Sequence, residues 1–459
     1  MSIRPGLSDV FAHLESGFDA AIDELAELVR IPGVSAQPSD DLHRCAQAVR
    51  QAMLRSGLLT TLIEGYGPPA VYGERIVHPD LPTVLLYGHY DVQPAESDGW
   101  NSSPFDPVVR DGRMYGRGSS DNKGQHLAQL LAIRATVAVH GELPVNVKVL
   151  IEGEEEVGSP HLADLVLANK ELLSADLAIT SDGPVHRSGT PQLVLGTRGQ
   201  LGVEVRTRGA NQDAHSGSLG GLLPDPAAEL VRALATLWQP DGRVAVAGFY
   251  DQVLEPTEQE RANLAQLPLD LDAHLSAFGI SELPPPNQHG FYERLMLQPT
   301  MTITGLASGY SGPGMKTIIS STAMARIDMR LVPCQEPDRV FNLLQAHLER
   351  HAERVQLVRL SSGPASRTPI DNPHVALLAR AIEHATGQEP FVVPSLGSTL
   401  PNYVFTDILE MPSVLVPYAN ADQNNHAANE NFELGRFLDG MKICAAVLDY
   451  LAPRQDAAH

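Results

Sequence analysis

Short, mainly apolar runs are the feature of this sequence that most restricts its fold. The runs Thr83–Tyr87, Val145–Ile151 and Leu177–Thr180 are typical of strands that helices cover on both faces. Between the first two the sequence predicts a helix from Asn122 to His140, with Asp121 capping its start. This strand–helix–strand order predicts an α/β fold built on a largely parallel, helix-covered sheet.

The middle of the chain has a different pattern. Gly202–Arg208 and Ala325–Leu331 alternate apolar and polar residues, which indicates strands with one packed face and one free face. Two amphipathic helices accompany them, and after about Thr368 the first pattern returns. We therefore expect a discontinuous catalytic domain (1–200 and 367–459) interrupted by an inserted α+β domain (201–366).

Charge and cysteine content exclude several classes of function. The chain has 33 Lys and Arg against 55 Asp and Glu, a formal net charge of −22, which argues against a nucleic-acid partner. Cys45, Cys334 and Cys444 are scattered and fit no disulfide framework. Met1–Asp9 lacks the pattern of a signal peptide, and no apolar run has the length of a membrane span. The expected location is the cytoplasm.

Acidic residues and histidines stand directly after the predicted strands. His89 and Asp91 follow the first strand, Glu152–Gly158 the second and Asp182 the third, while His426 lies downstream of the last. Ligands of open α/β sheets gather at the carboxyl ends of strands, so these side chains are predicted to share one edge. Because His89 and Asp91 are two residues apart in extended chain, Asp91 is predicted to orient the His89 imidazole.

Two imidazoles and three carboxylates form the predicted ligand set: His89, Asp121, Asp182, His426 and one of Glu155 and Glu156. Such a set, without thiolate, suits Zn²⁺ first, with Mn²⁺ or Co²⁺ as alternatives. Five ligands can hold two ions if one carboxylate bridges them, at a separation of about 3.5–4 Å. In extended chain the two glutamates point to opposite sides, so one can bind metal and the other can serve as general base. Taken singly, these residues also fit turns and caps.

Four motifs together resemble the M20 metallopeptidases. They are Gly88–Pro94 (GHYDVQP), Gly116–Gly124 (GRGSSDNKG), Glu152–Ser159 (EGEEEVGS) and Asn425–Glu430 (NHAANE). The resemblance implies that Asp121 bridges two divalent ions, that His89 and Asp182 complete one site, and that Glu156 and His426 complete the other. It also implies that Glu155 is the general base and that Asp91 orients His89.

The dipeptidase branch of that family resembles this chain most. Asp213–Gly221 (DAHSGSLGG) is similar to a motif of the inserted domain whose histidine stabilises the oxyanion in the partner subunit, and this implies the same role for His215. Thr317, Arg330 and Gly397-Ser398-Thr399 resemble segments that contact the substrate, with Leu396 standing where that loop usually has a second glycine. The resemblance further implies a homodimer formed through the inserted domain, which would also close as a lid.

These observations predict a hydrolase that cleaves dipeptides, or short peptides with a free C-terminal carboxylate. An arginine such as Arg330 is more often a surface or ion-pair residue, but its guanidinium fork suits a terminal carboxylate. An N-acyl amino-acid deacylase with the same metal chemistry is the first alternative. A binding protein that kept the fold without catalysis is the second, and the intact ligand set argues against it.

Overall fold

The computed structural model describes residues 6–37, 39–96, 98–284 and 289–453. The first five residues of the Met1–Asp9 segment therefore lie outside the described residues, and a helix begins at Leu7. The chain divides into two compact units. Unit 1 comprises Met1–Gly196, Arg367–Pro394 and Leu400–His459, and unit 2 comprises Thr197–Ser366 and Ser395–Thr399.

Within its described residues, unit 1 contains a mixed, mostly parallel sheet of eight strands. From edge to edge the strands are Leu59–Ile63, Ala70–Arg75, Asn146–Glu152, Thr83–His89, Leu177–Thr180, Ser413–Leu415, Gln192–Val194 and Phe391–Val393. The central strand Thr83–His89 runs parallel to both of its neighbours. Parallel pairing places the ends of these strands at a common edge, and the predicted α/β class is confirmed.

Helices cover this sheet, as the apolar runs predict. Leu127 and Ile133 of the helix Lys123–His140 pack in one core with Val84 and Leu86 of the central strand. The helices of unit 1 are Leu7–Ser16, Phe18–Val29, Asp40–Arg55, Lys123–His140, Leu162–Ala168, Lys170–Leu173, Pro373–Thr386 and Leu434–Leu451. Shorter turns span Glu155–Val157 and Val404–Ile408, and a small sheet joins Val108–Arg110, Arg113–Tyr115 and Asn431–Glu433.

One predicted helix start is wrong. Asn122, not Asp121, occupies the N-cap position of Lys123–His140, and its side chain makes no capping hydrogen bond. The Asp121 carboxylate instead points toward two histidines, as described below. The carboxylate cannot point in both directions, so its contacts with the histidines replace a capping interaction.

Unit 2 contains an antiparallel sheet in the order Thr300–Ser308, Thr322–Leu331, Gly199–Arg208 and Val355–Gly363. The alternating pattern places Val203 and Ile327 in a core with the helical residues Leu230 and Leu344, while Arg206 is exposed. The helices of unit 2 are Ser216–Leu219, Pro226–Ala235, Glu258–Ala265, Leu271–Ala277, Phe291–Leu297 and Pro337–His351. Short strands span Gly196–Thr197, Ala214–His215, Ile318–Ile319 and Ser366–Arg367.

Among the described residues, no helix combines the length and the apolar character that crossing a bilayer requires.

Candidate metal centre

The carboxyl ends of neighbouring strands in unit 1 bring the predicted ligands together. His89 is the last residue of the central strand and pairs in register with Glu152, the last residue of its neighbour. Asp182 lies two residues beyond the strand Leu177–Thr180 on the other side. The parallel arrangement therefore delivers an imidazole and a carboxylate from two adjacent strands to one edge.

The first cluster consists of His89, Asp121 and Asp182. The fully buried His89 directs Nε2 toward Asp121 Oδ1 at 3.3 Å and Asp182 Oδ2 at 3.6 Å. Its Nδ1 lies 3.1 Å from the carbonyl oxygen of Asp91 and 3.3 Å from Asp91 Oδ1. With Nδ1 as the donor, Nε2 presents a lone pair to two carboxylate oxygens, and this buried atom has no hydrogen-bond partner among the described residues. A cation between the three groups would satisfy all of them, so the residues fit a divalent metal ion.

The second cluster consists of Asp121, Glu156 and His426. His426 Nε2 lies 3.1 Å from Asp121 Oδ2 and 3.0 Å from Glu156 Oε2. Asp121 thus offers one carboxylate oxygen to each cluster, which is the arrangement that a bridging ligand requires. His426 differs from His89 because its side chain is 52% exposed and its backbone has φ 60°, in the left-handed region.

The Asp91 carboxylate connects the first histidine to the paired glutamates. Its Oδ1 accepts the backbone N–H of Glu155 at 3.2 Å, and its Oδ2 accepts that of Glu156 at 3.1 Å. These two residues begin the 3₁₀ turn Glu155–Val157, so the prediction of extended chain there is wrong. Successive residues of a 3₁₀ turn are about 120° apart, which still gives the two carboxylates different directions.

Burial sets the protonation of the carboxylates in this centre. It raises the pKa of Glu155 well above its usual range, and the neighbouring charge of Asp182 acts in the same direction, against the opposing effect of His89. Burial is also the main cause that raises the pKa values of Glu156 and Asp182. Burial also opposes ionisation of Asp121, but the close imidazoles of His426 and His89 outweigh it and hold the pKa of that carboxyl well below its usual range.

The pKa values of both histidines are also raised, which for an imidazole favours the charged form. Hydrogen bonds to Asp121 and Glu156 raise the pKa of His426 to about 10. Burial disfavours the charged form of His89, yet its carboxylate neighbours raise its pKa well above the usual value. Positive charge is therefore strongly favoured at both imidazoles, and a divalent cation would supply it in place of the protons.

Glu430 is a supporting residue to which the sequence reasoning assigned no role, although it ends the fourth motif. This fully buried carboxylate accepts the backbone N–H groups of Gly118, Ser120 and Asp121 at 2.9–3.1 Å. It also pairs with Arg117 Nη1 at 2.8 Å. A carboxylate satisfied by so many donors fixes the loop that leads into Asp121. Its position four residues after His426 was the only signal in the sequence.

The predicted residues of unit 2 form two pairs. His215 ends the short strand Ala214–His215, and Thr317 immediately precedes the partner strand Ile318–Ile319, with His215 Nε2 3.4 Å from Thr317 Oγ1. Because His215 Nδ1 accepts the backbone N–H of Gly217 at 3.0 Å, the proton of the neutral imidazole resides on Nε2. The exposed His215 therefore presents a donor.

Arg330 and the Gly397–Thr399 loop form the second pair. Arg330 Nη1 donates to Thr399 Oγ1 at 2.8 Å, and its Nε donates to Asp328 Oδ2 at 3.0 Å. A Cβ at Gly397 would lie 2.9 Å from Leu295 Cδ1, so the loop passes close to the end of this leucine side chain. The loop is thereby joined to the strand Thr322–Leu331 and the helix Phe291–Leu297 within one unit.

Residues 85–450 of this chain match the family described as Peptidase family M20/M25/M40. The chain belongs to peptidase family M20. The family predicted from the four motifs is thus confirmed. Among characterised relatives, this M20 peptidase is 31% identical to the Beta-Ala-His dipeptidase of Homo sapiens, over 96% of its own length and 92% of the relative. It is 32% identical to a Cys-Gly metallodipeptidase of Schizosaccharomyces pombe, over 84% and 83% of the two chains.

Solved structures agree with the family assignment. The M20 family metallo-carboxypeptidase Sso-CP2 of Sulfolobus solfataricus superposes with a TM-score of 0.88 at 33% identity, covering 94% of this M20 peptidase and 99% of that chain. The M20 peptidase is therefore an enzyme with the fold of that family.

Proposed function

We propose that this enzyme hydrolyses the amide bond of dipeptides, or of short peptides with a free C-terminal carboxylate. The observation that carries the proposal is the pair of ligand clusters sharing Asp121, with Glu155 beside them and not part of either. Both histidines and all three carboxylates of the predicted set belong to these clusters. The dipeptidase relatives favour a dipeptide over an N-acyl amino acid as the substrate.

Two divalent metal ions would be bound by these clusters, one by His89, Asp121 and Asp182 and the other by Asp121, Glu156 and His426. When bound, the ions supply Lewis-acid chemistry, which stabilises negative charge on a carbonyl oxygen and lowers the pKa of water. The oxygen and imidazole ligands suit Zn²⁺ first, with Mn²⁺ or Co²⁺ as alternatives.

Glu155 would move the proton during catalysis. Its carboxylate takes a proton from the attacking water as the water oxygen bonds to the scissile carbonyl carbon. The same group then delivers the proton to the nitrogen of the leaving amine as the C–N bond breaks. Glu155 belongs to neither ligand cluster, so its carboxylate stays available for this transfer.

Unit 2 would orient the substrate. Arg330, Thr317 and the donors of Gly397, Ser398 and Thr399 are assigned to the terminal carboxylate, since a guanidinium and neighbouring hydroxyl and amide donors match its two oxygens. His215, as an Nε2–H donor, would stabilise the oxyanion, and in a homodimer it would act in the partner's site. Dimerisation and lid closure by unit 2, and a cytoplasmic location, are further parts of this proposal.

A substrate panel with one variant tests the reaction. Unblocked dipeptides should be hydrolysed, whereas N-acetyl and N-succinyl amino acids should not. Glu155→Gln should lower kcat about 100- to 10,000-fold, because proton transfer is lost, while the metal content stays that of the wild type. Release of free amino acids and elemental analysis measure the two quantities. Turnover of N-acyl amino acids alone would favour the deacylase, and an active Glu155→Gln enzyme would contradict the assigned base.

A further inference from the structure

Arg198 is a buried arginine that forms no ion pair with any described carboxylate. Its side chain donates from Nε to the carbonyl oxygen of Gly397 at 2.9 Å and from Nη1 to that of Gln298 at 3.4 Å. Its backbone N–H donates to the carbonyl oxygen of Ser398 at 3.2 Å. Arg198 is 6% exposed, and within the described parts of the chain no carboxylate lies at ion-pair distance from it.

A buried guanidinium without a counter-ion is costly, which indicates that an anion completes its surroundings at some stage. Burial, followed by the neighbouring charge of Arg330, lowers the pKa of Arg198 to about 10, although the charge of Asp328 acts in the opposite direction. The group nevertheless remains charged at neutral pH. Both side-chain hydrogen bonds of Arg198 go to neutral carbonyl oxygens, so they do not neutralise its charge.

Arg198 and Arg330 hold the same three-residue loop. Arg198 binds it through the carbonyl oxygens of Gly397 and Ser398, and Arg330 binds it through Thr399 Oγ1. Asp328 is the acid beside them: its Oδ2 accepts from Arg330, and its Oδ1 accepts from the side chain of Gln200 at 3.3 Å. Two guanidinium groups and one carboxylate leave one positive charge, which complements the single negative charge of a peptide's terminal carboxylate.

We propose that Arg198 is a positioning residue of the substrate-carboxylate site. It holds the Gly397–Thr399 loop so that the loop's donors face the carboxylate, and it supplies the second positive charge of the site. This inference rests on the proposed function, because it assumes that Arg330 and the loop receive the substrate's C-terminus. It extends that function by making recognition of the carboxylate depend on a residue that need not touch the substrate.

The test compares a dipeptide with its C-terminal amide, since the two differ only in the carboxylate. Arg198→Gln keeps a donor for Gly397 but removes the charge. The ratio of kcat/KM for the acid to kcat/KM for the amide should fall about 10- to 100-fold, mainly because KM for the acid rises. Arg198→Lys restores the charge without the planar fork, so its ratio should lie between those of Arg198→Gln and the wild type. Arg208→Gln, at the exposed far end of the strand Gly199–Arg208 that follows Arg198, is the matched control and should leave the ratio unchanged.

An acid-to-amide ratio of kcat/KM that is the same in Arg198→Gln as in the wild type would overturn the inference. If Arg198→Gln does not fold, an Arg198→Lys ratio equal to that of the wild type would overturn it. Calorimetric binding of leucine and leucinamide separates this inference from the reaction itself. If the wild type hydrolyses no peptide, the proposed function fails. In that case the positioning role of Arg198 is still supported if the wild type binds leucine more tightly than leucinamide and Arg198→Gln does not. The role is contradicted if the wild type and Arg198→Gln each bind leucine and leucinamide with equal affinity.

Discussion

The two ligand clusters contain similar donors but are supported very differently. His89 lies at the end of a central strand, is fully buried, and has its second nitrogen against Asp91. His426 lies on a loop, is half exposed, and belongs to a segment in which Asn424 and Asn429 also adopt positive φ angles. Two imidazoles in equivalent chemical positions can therefore differ in how much free energy of unfolding their removal costs. Because His89 is buried and His426 is not, we expect removal of His89 to disturb the fold more than removal of His426.

Removing each histidine should give the largest effects and the sharpest contrast. His89→Ala leaves the buried carboxylates of Asp121 and Asp182 without their cationic or hydrogen-bonding partner. We therefore expect loss of bound metal, loss of activity beyond 100-fold, and a decrease of about 3–5 kcal/mol in the free energy of unfolding. His426→Ala should lose one ion and comparable activity while its unfolding free energy changes much less.

Elemental analysis and denaturant unfolding of both variants measure these quantities. The exposed His43→Ala variant, in the helix Asp40–Arg55, controls for the removal of an imidazole far from any ligand in sequence. Equal losses of stability in His89→Ala and His426→Ala would contradict the comparison.

Glu430 should give an intermediate effect, because it supports Asp121, which both clusters share. Glu430→Gln keeps the size of the side chain but leaves the buried Arg117 without its counter-charge. Metal affinity should fall about 10- to 100-fold, as is typical of groups that orient ligands. Titration with a competing chelator measures this affinity. If the affinities for both ions fall equally, Glu430 acts through the shared Asp121. An unchanged affinity would show that the hydrogen bonds of Glu430 serve only the fold.

The smallest effect should be a change in pH dependence beside the buried cluster. Burial raises the pKa of Glu152 from 4.5 to about 7, although Tyr87 and Ser159 donate hydrogen bonds to its carboxylate. The folded state therefore binds this proton more tightly than the unfolded state does. The resulting stability is complete below about pH 4.5 and is lost as the pH rises through about 7.

Glu152→Gln removes this titration while keeping a polar side chain. The unfolding free energy of the variant relative to the wild type should thus increase by roughly 2–3 kcal/mol between pH 5 and pH 8. Denaturant unfolding at the two pH values measures the change, and Glu171→Gln, at an exposed position, is the control for losing one negative charge. If the unfolding free energies of variant and wild type differ by the same amount at pH 5 and pH 8, the raised pKa of Glu152 is contradicted.

The sequence allowed the strand ends to be predicted because each apolar run stops at a polar residue. His89 and Asp182 lie where parallel strands place them, so local pattern and topology agree. The direction of the Asp121 carboxylate could not be obtained in this way, because its histidine partners are distant in sequence. Side-chain direction there depends on tertiary contacts, which is why the capping prediction was wrong.

Other parts of the molecule had no local signal. The 3₁₀ turn at Glu155–Val157 is stabilised by Asp91, some 64 residues earlier in the chain. The helices Glu258–Ala265 and Leu271–Ala277 are short and mostly exposed, so they carry little of the apolar periodicity that reveals a helix. Arg198 was missed because a single arginine before a strand has no pattern, and its lack of an acid partner is visible only in three dimensions.

The Asp91 carboxylate has a consequence for how such a site can change over evolutionary time. One side chain fixes the orientation of a proposed metal ligand, the backbone of the proposed general base and the backbone of a second ligand. A lineage that alters metal preference at His89 cannot do so through Asp91 without also displacing Glu155. Adaptation of the metal is thereby tied to adaptation of the proton-transfer group, and we expect new specificities to arise more readily in unit 2.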